Sequence, residues 1–311
     1  MADIHKKIQP ASIGKCNRTG HPAAMSTPPK NAALTDHGIA APHDPALYQP
    51  TEQVPTRRGW CEISDALVAE YRERGCLAFE NVFTAAEVAA AAAALRDLTA
   101  GKIPRFTGVM FEAWAKDRLA ELTAEQRHAA VRKVFDFTAF DHRLQALEQH
   151  PALRRMVARL LGEPPVLAQE MALLKPPRGR EKPWHQDHAY FDYPLGTPVV
   201  GVWIALDDAT PENGCMHVVP GSHRAGPHVH VQKRDWQVCD TDILGQRIAA
   251  VPLRAGGCLL FDGLLLHGTP ANLSAHRREA LQFHYVPASA RKCKSEERLA
   301  VFGAEGKNVT C

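Results

Sequence analysis

The spacing of apolar residues divides the chain into a helical part followed by a part rich in strands. Between residues 62 and 162, apolar side chains recur at helical spacing, flanked by residues that favour helix ends, such as the Thr84–Glu87 pair and Gly162. These caps predict four helices, which begin near Ser64, Thr84, Thr123 and Pro151. A short apolar segment, CLAFENVF at 76–83, predicts a strand between the first two helices.

From residue 164 onward the pattern changes to short segments rich in β-branched and aromatic residues, separated by glycine, proline and asparagine. Six strands are predicted, at 164–175, 198–208, 216–222, 248–253, 257–263 and 279–286. The connections between them lack long helical patterns, which argues against a parallel sheet. We therefore expect a mainly β fold with flanking helices, in which the helices pack on an antiparallel sandwich or barrel such as a jelly roll.

Residues 1–58 are rich in proline and contain one aromatic residue, Tyr48. Such a segment buries too little apolar surface to offset the entropy that is lost on ordering. We predict that most of this Pro-rich tail is flexible, either disordered or draped on the domain. The remainder, 59–311, is expected to form a single domain with a helical N-terminal part at 62–162 and a jelly-roll core at 163–290.

Composition excludes several functional classes. Of the 311 residues, 45% are hydrophobic and 23% are charged, as in globular proteins, and the net charge of +3 is too small to indicate nucleic-acid binding. No apolar stretch reaches the roughly 20 residues needed to cross a bilayer, and the N-terminus lacks the apolar core of a secretory signal. The eight cysteines form no C-x-x-C pair. We expect a cytoplasmic protein with a small-molecule partner and with neither nucleic acid nor membrane as a partner; the oligomeric state is left open.

The sequence WHQD at 184–187 contains the first candidate chemistry. Residues two apart on a strand point to the same face, so His185 and Asp187 would project together. One imidazole and one carboxylate are two of the three ligands of the facial triad that binds Fe(II) and leaves coordination positions open. The pattern alone is weak, because a surface strand with this pair is an equally good interpretation.

His267 is the candidate for the third ligand, because it follows the buried-looking strand at 257–263 and precedes a glycine. Arg278 opens the last predicted strand, and alternation turns it towards the inside of the barrel. An arginine in that position needs an anionic partner, since an unpaired buried charge is costly. A dicarboxylate cosubstrate would supply it. The alternative for His267 is a histidine that packs in the core, and the alternative for Arg278 is a structural salt bridge.

Three further segments extend the pattern: GVWIALDDATPENGCMHVVPGSH (201–223), HGTPAN (267–272) and RREALQFHYV (277–286). Together with HQD they resemble the phytanoyl-CoA dioxygenase family, over about residues 62 to 290, and most closely its members with small-molecule or unassigned substrates. Members of this family are Fe(II)- and 2-oxoglutarate-dependent oxygenases with a cupin-like double-stranded β-helix. The resemblance therefore implies that fold and these cofactors, with O2 as the oxidant and ascorbate as a supporting reductant.

Matching the family motif residue by residue implies roles for seven side chains. The iron ligands would be His185, Asp187 and His267. The cosubstrate site would be formed by Arg278, paired with the C5 carboxylate of 2-oxoglutarate, and by Thr269, Trp203 and Gln169. For Thr269, closing a turn is an equally good interpretation, and for Trp203, packing in the core is. Family members that halogenate have Gly or Ala in place of Asp187, so the carboxylate implies hydroxylation.

The implied reaction is hydroxylation of an unactivated C–H bond of a small-molecule metabolite, with release of succinate and CO2. Desaturation or epimerisation by the same chemistry, a metal-binding relative without turnover, and zinc-dependent hydrolysis are the alternatives. Candidate substrate-binding residues are aromatic side chains near the triad and in the segment 105–114: Trp184, Tyr190, Phe191 and Phe106. The H-x-H pair of His228 and His230 is expected in an exposed loop and is not assigned to a metal.

Overall fold

The structure is a computed structural model, and it describes residues 34–35, 38–39 and 41–303. The part of the predicted tail before residue 34 lies outside the described residues. Six helices occur in the described part of the chain: α1 (Asp65–Arg74), α2 (Ala85–Thr99), α3 (Ala124–Ala129), α4 (His142–Glu148), α5 (Pro151–Leu161) and α6 (Ser295–Phe302). None of these helices is both long enough and apolar enough to cross a membrane.

The helix ends follow local sequence signals. The Ser64 hydroxyl accepts a hydrogen bond from a backbone amide at the start of α1, and Gly75 ends that helix with a φ of 78°. Thr84 and Glu87 form the predicted capping box at the start of α2, and Thr123 begins α3 in the same way. The four predicted helices are confirmed, and α4 and α6 are additional to them.

Sixteen strands occur in the described residues: β1 (Leu34–Thr35), β2 (Glu52–Gln53), β3 (Thr56–Arg58), β4 (Cys76–Glu80), β5 (Val109–Phe111), β6 (Val131–Phe135), β7 (Pro165–Lys175), β8 (Lys182–His185), β9 (Val200–Ala205), β10 (Met216–Val218), β11 (His230–Gln232), β12 (Trp236–Val238), β13 (Ala249–Val251), β14 (Cys258–Asp262), β15 (His267–Thr269) and β16 (Arg278–Pro287). Nine of them form one sheet in the order β1-β5-β6-β7-β16-β9-β14-β4-β3, and five form a second sheet in the order β2-β13-β10-β15-β8. The strands β11 and β12 pair only with each other.

The strand β16 lies in the middle of the larger sheet, between its antiparallel neighbours β7 and β9. On one face, Leu281, Phe283 and Tyr285 enter the hydrophobic core that also includes apolar residues of α2 and α5. On the other face, Arg278 and Gln282 line a cavity to which strands of both sheets contribute. The predicted mainly β fold with flanking helices and a jelly-roll core is confirmed.

Residues 41–58 of the predicted tail, which we call the N-terminal strap, lie on the domain, which is one of the two alternatives expected for the tail. In the strap, β2 pairs with β13 and β3 pairs with β4, so the strap backbone extends both sheets. Leu47 is fully buried, and its carbonyl oxygen accepts a hydrogen bond of 2.9 Å from Trp184 Nε1. Strand pairing and two buried apolar residues, Leu47 and Val54, thus order a segment whose composition alone favours flexibility.

Leu47→Ala is expected to lower the free energy of unfolding by about 2–5 kcal/mol, because it leaves a cavity in the cluster that Leu47 forms with Trp184 and Ile248. Urea unfolding followed by circular dichroism measures the change. Leu273→Ala, at a position that is 87% exposed, is the control and should change stability by less than about 0.5 kcal/mol. A Leu47→Ala protein as stable as the native chain would contradict a stabilising role of the strap.

Candidate metal centre

His185 and His267 are direct neighbours across two antiparallel strands. His185 ends β8, His267 begins β15, and the two residues are register partners. Their ring centroids lie 4.2 Å apart, and both side chains are buried. Strand pairing therefore brings together two imidazoles that are far apart in the sequence.

Asp187 reaches the same point through a local structure that differs from the predicted strand. The strand β8 ends at His185, Gln186 is extended, and Asp187 begins a 3-10 turn. The side chains still converge, with 3.3 Å between His185 Nε2 and Asp187 Oδ1. Gln186 fixes the turn, because its side-chain amide donates to the carbonyl oxygens of Gly226 and Leu264.

The three side chains form a compact donor set. His267 Nε2 lies 3.5 Å from the same oxygen of Asp187, and the three potential ligand atoms lie within 4.8 Å of one another. In each histidine, Nδ1 is placed to donate to a backbone carbonyl oxygen, that of Pro183 at 2.7 Å and that of Leu265 at 2.9 Å. These bonds favour the tautomer in which the Nε2 lone pair points towards the carboxylate.

The protonation states at this centre suit a cation. Burial lowers the pKa of His185 to about 4, and His267 adds to the effect. Burial would raise the pKa of Asp187, but His267 and His284 outweigh it and hold this pKa well below its usual value. At neutral pH the centre therefore contains a neutral imidazole at His185 and an ionised carboxylate at Asp187, which are the forms that bind metal ions.

Protein donors occupy the second oxygen of Asp187. His284 Nε2 lies 2.7 Å from Oδ2, and the side-chain amide of Gln282 donates to Oδ2 at 3.0 Å. Both donors are buried and belong to the inner face of β16. Alternation on this strand predicts their orientation, although the family motif gives neither residue a role.

A cavity of about 270 Å³ lies beside the centre, and one end of it is basic. Arg278 is buried there with its guanidinium 5.5 Å from the ring of Trp203, and in the described part of the chain its Nε has no hydrogen-bond partner. Lys175, its register partner on β7, donates to the Thr269 hydroxyl at 2.7 Å. Burial, and then the charge of Arg278, holds the pKa of Lys175 well below its usual value. No sequence motif gives Lys175 a role, because a lysine at a strand end is usually solvated.

Several other predicted site residues lie in or next to the wall of the cavity. The wall includes Gln169, Tyr190 and Phe191. Gln169 is the register partner of His284, which places it near Asp187. Trp203 is fully buried behind the wall, where its ring contacts Arg278.

Trp184 and Phe106 lie elsewhere, and this corrects the predicted substrate-binding set. Trp184 precedes His185 on β8, so strand alternation turns it to the opposite face, where it stacks on Tyr48 of the strap. Phe106 belongs to the core cluster that packs under the helices, and its ring contacts Phe140.

The H-x-H pair also differs from the prediction of an exposed loop. His230 is fully buried on β11, and its Nε2 accepts a hydrogen bond of 3.1 Å from the backbone amide of Gln186. The backbone amide of His228 donates to the side-chain oxygen of Gln186 at 2.7 Å. These residues support the turn between two of the donor side chains, and nothing in the local sequence indicates that contact.

Comparison with known proteins adds a family relationship to this geometry. The model of the phytanoyl-CoA dioxygenase (PhyH) family matches residues 71–280. Phytanoyl-CoA dioxygenase domain-containing protein 1 of Rattus norvegicus is 34% identical over 165 residues, which cover 49% of this chain and 55% of that protein. The chain thus spans about half the length of the first curated relatives it matches. The ectoine dioxygenase of Bordetella bronchiseptica is 28% identical over 269 residues, or 78% of this chain and 80% of that protein.

A solved structure shares the fold over most of the chain. It is the epimerase SnoN from nogalamycin biosynthesis, in complex with Fe3+, alpha ketoglutarate and nogalamycin RO. The similarity has a TM-score of 0.59 at 25% sequence identity, and it covers 74% of this chain and 86% of that chain.

Three buried histidines predict a loss of stability in mild acid. Burial lowers the pKa of His185 and of His217 to about 4, and that of His230 to about 3. Histidines in an unfolded chain titrate near pH ~6.5, so below that pH the unfolded chain binds more protons than the folded one. The stability of the metal-free protein should therefore fall as the pH decreases from about 6.5 to about 4.

Urea unfolding at a series of pH values measures this slope. His217→Phe keeps an aromatic ring against Tyr48 and removes one of the three titrating groups, so its slope should be smaller than that of the native chain. His142→Phe, at an exposed position, should leave the slope unchanged. Equal slopes for all three proteins would show that the buried histidines do not cause the acid sensitivity.

Proposed function

This chain belongs to the phytanoyl-CoA dioxygenase family, and on that premise we propose that it is an Fe(II)- and 2-oxoglutarate-dependent dioxygenase that hydroxylates a small-molecule metabolite. One observation supports this proposal above all others. Two imidazoles and a carboxylate converge beside a buried arginine whose Nε has no hydrogen-bond partner among the described residues. The two imidazoles and the carboxylate suit a metal ion, and the arginine suits an anionic ligand next to that ion.

The donor set fits ferrous iron. With both Nδ1 atoms donating to the backbone, the Nε2 atoms of His185 and His267 face Asp187 Oδ1 as acceptors at 3.3 and 3.5 Å. When both rings are neutral, all three atoms present lone pairs, and a divalent cation among them would compensate their mutual repulsion. Two histidines and one carboxylate are the donor set of non-haem Fe(II) oxygenases, in which positions stay open for further ligands. His185, Asp187 and His267 would hold the iron.

The basic end of the cavity fits 2-oxoglutarate. Arg278 would bind the C5 carboxylate through its guanidinium, because a charge-assisted pair compensates the burial of both charges. Thr269 lies beside it, and because its hydroxyl accepts a hydrogen bond from Lys175, the hydroxyl proton is directed away from Lys175 and can be donated to the same carboxylate. When bound, Fe(II) with this ketoacid and O2 supplies the oxidation, in which 2-oxoglutarate becomes succinate and CO2 and one oxygen atom enters a substrate C–H bond.

The wall of the cavity supports a small substrate of mixed polarity. Its volume of about 270 Å³ is near the lower end of the range for ligand pockets, roughly 300–1,000 Å³. Phe135, Met171 and Phe191 provide an apolar surface, whereas the side-chain amide of Gln169 provides hydrogen-bonding groups. The apolar part also keeps water away from the reacting atoms.

Epimerisation is the second candidate reaction, and the similarity to SnoN is the observation that favours it. The two reactions differ in the mass of the product, since hydroxylation adds one oxygen atom and epimerisation leaves the mass unchanged. Incubation with mixed small metabolites, followed by mass spectrometry, distinguishes them.

Asp187→Ala should abolish the formation of succinate in the presence of Fe(II), 2-oxoglutarate and ascorbate, because it removes the only anionic ligand from the donor set. Succinate measured by mass spectrometry, with and without added metabolites, tests this. Asp65→Ala, whose side chain is 91% exposed, is the control and should retain native turnover. Native turnover by Asp187→Ala would contradict the assignment, and a native chain that forms no succinate with any metabolite would contradict the proposed function.

Arg278→Ala should raise the KM for 2-oxoglutarate and leave the KM for the metabolite nearly unchanged. Loss of one partner from a buried charge pair costs about 2–5 kcal/mol, which corresponds to an increase of about 30-fold or more. Arg277→Ala is the matched control, because Arg277 pairs with Glu279 at 2.7 Å and does not line the cavity. Equal KM values for the two variants would place the cosubstrate elsewhere.

A further inference from the structure

We propose that His284 and Gln282 are positioning residues that make Asp187 a ligand through one oxygen only. The inference rests on the proposed iron site and concerns how the protein prepares that site. It starts from an asymmetry between the two oxygens of a single buried carboxylate.

The oxygens of Asp187 have separate partners. Oδ1 faces the Nε2 atoms of His185 and His267 at 3.3 and 3.5 Å. Oδ2 faces the opposite way and contacts His284 Nε2 at 2.7 Å and the Gln282 amide at 3.0 Å. The carboxylate therefore presents one oxygen to the metal centre and the other to β16.

The chemistry of a free carboxylate explains why this division matters. Its two oxygens are equivalent, and both can bind the same divalent cation. Two hydrogen bonds to Oδ2 use the lone pairs that a second metal bond would need, and they are strong because the acceptor is charged and buried. With Oδ2 occupied, His185, Asp187 and His267 fill three positions of an octahedral ion, and the other three stay available to cosubstrate and oxidant.

The packing around His284 fixes the direction of its hydrogen bond. The ring lies 4.8 Å from the ring of Phe191 and 6.4 Å from that of Phe261, and it is 1% exposed. Among the described residues, its Nδ1 has no hydrogen-bond partner, so Asp187 is the anionic contact that accounts for a polar ring at this position. Gln282 and His284 lie two residues apart on β16, and their amide and ring nitrogens are 3.0 Å apart because both converge on Oδ2.

The test compares His284→Phe with His284→Gln. Phenylalanine keeps the ring between Phe191 and Phe261 but removes the donor, whereas glutamine keeps an N–H donor near the position of Nε2. Anaerobic calorimetric titration of each protein with Fe(II) alone should give an affinity about 10- to 100-fold weaker for His284→Phe, the usual effect of losing a partner of a metal ligand. His284→Gln should recover most of that loss. His217→Phe, a buried histidine without contact to Asp187, should bind Fe(II) like the native chain.

Native affinity in His284→Phe, or equal losses in His284→Phe and His284→Gln, would overturn the positioning role, because the hydrogen bond would then be irrelevant. The proposed iron site would still stand in that case, provided that the native chain binds Fe(II) and Asp187→Ala does not. A native chain that does not bind Fe(II) would overturn both proposals.

A second variant covers the case in which His284→Phe does not fold. Gln282→Met has a similar volume and removes the other donor from the same oxygen. It should weaken Fe(II) binding several-fold, and unchanged affinity would overturn the proposal. Its thermal unfolding without metal shows whether any loss comes from the fold rather than from the site.

Discussion

The buried carboxylate of Asp187 is the group on which the candidate site depends. A charge inside a protein is unfavourable unless donors or counter-charges surround it. Here an imidazole and an amide of β16 contact one oxygen, and two imidazole nitrogens face the other, where a bound cation would supply the counter-charge. Of these contacting residues, only His185 is close in sequence to the turn that contains Asp187. The others come from distant parts of the chain. The jelly roll is the framework that brings them together.

The strand β16 shows how one element can organise two tasks. Its inner face presents Arg278 at one end of the cavity and the two donors to Asp187 further along. Its outer face is held in the apolar core by Leu281 and Phe283. Because neighbouring side chains on a strand are spaced by a fixed rise, the distance between the anion-binding end and the metal centre is set by the backbone.

Local signals in the sequence predict much of this fold. The capping residues Ser64, Thr84 and Thr123 mark helix starts, because a cap acts within a few residues of the helix it begins. Alternation on β16 likewise predicts which side chains face inward. The N-terminal strap escapes such reasoning, since its order comes from pairing with β4, which follows α1, and with β13, which lies far along the chain.

The candidate site likewise contains some residues that the local sequence indicates and others that it does not. The motif identifies His185, Asp187 and His267, and the structure brings them within reach of one another, although Asp187 lies in a turn rather than on a strand. Lys175 and His230 have contacts that depend on distant segments, so no local pattern could indicate them. Proximity in sequence to His185 favours Trp184 as a substrate-binding residue, but adjacency on a strand implies the opposite face.

The pairing of β8 with β15 has a consequence for how the protein matures. The two imidazoles become neighbours only when strands from distant parts of the chain have found their register, and contacts of that kind form late because loop closure has to precede them. In a nascent or partly folded chain the ligands would thus be far apart, and each alone would bind a metal ion only weakly. Iron acquisition would follow assembly of the sheet, so that occupancy reports on completed folding.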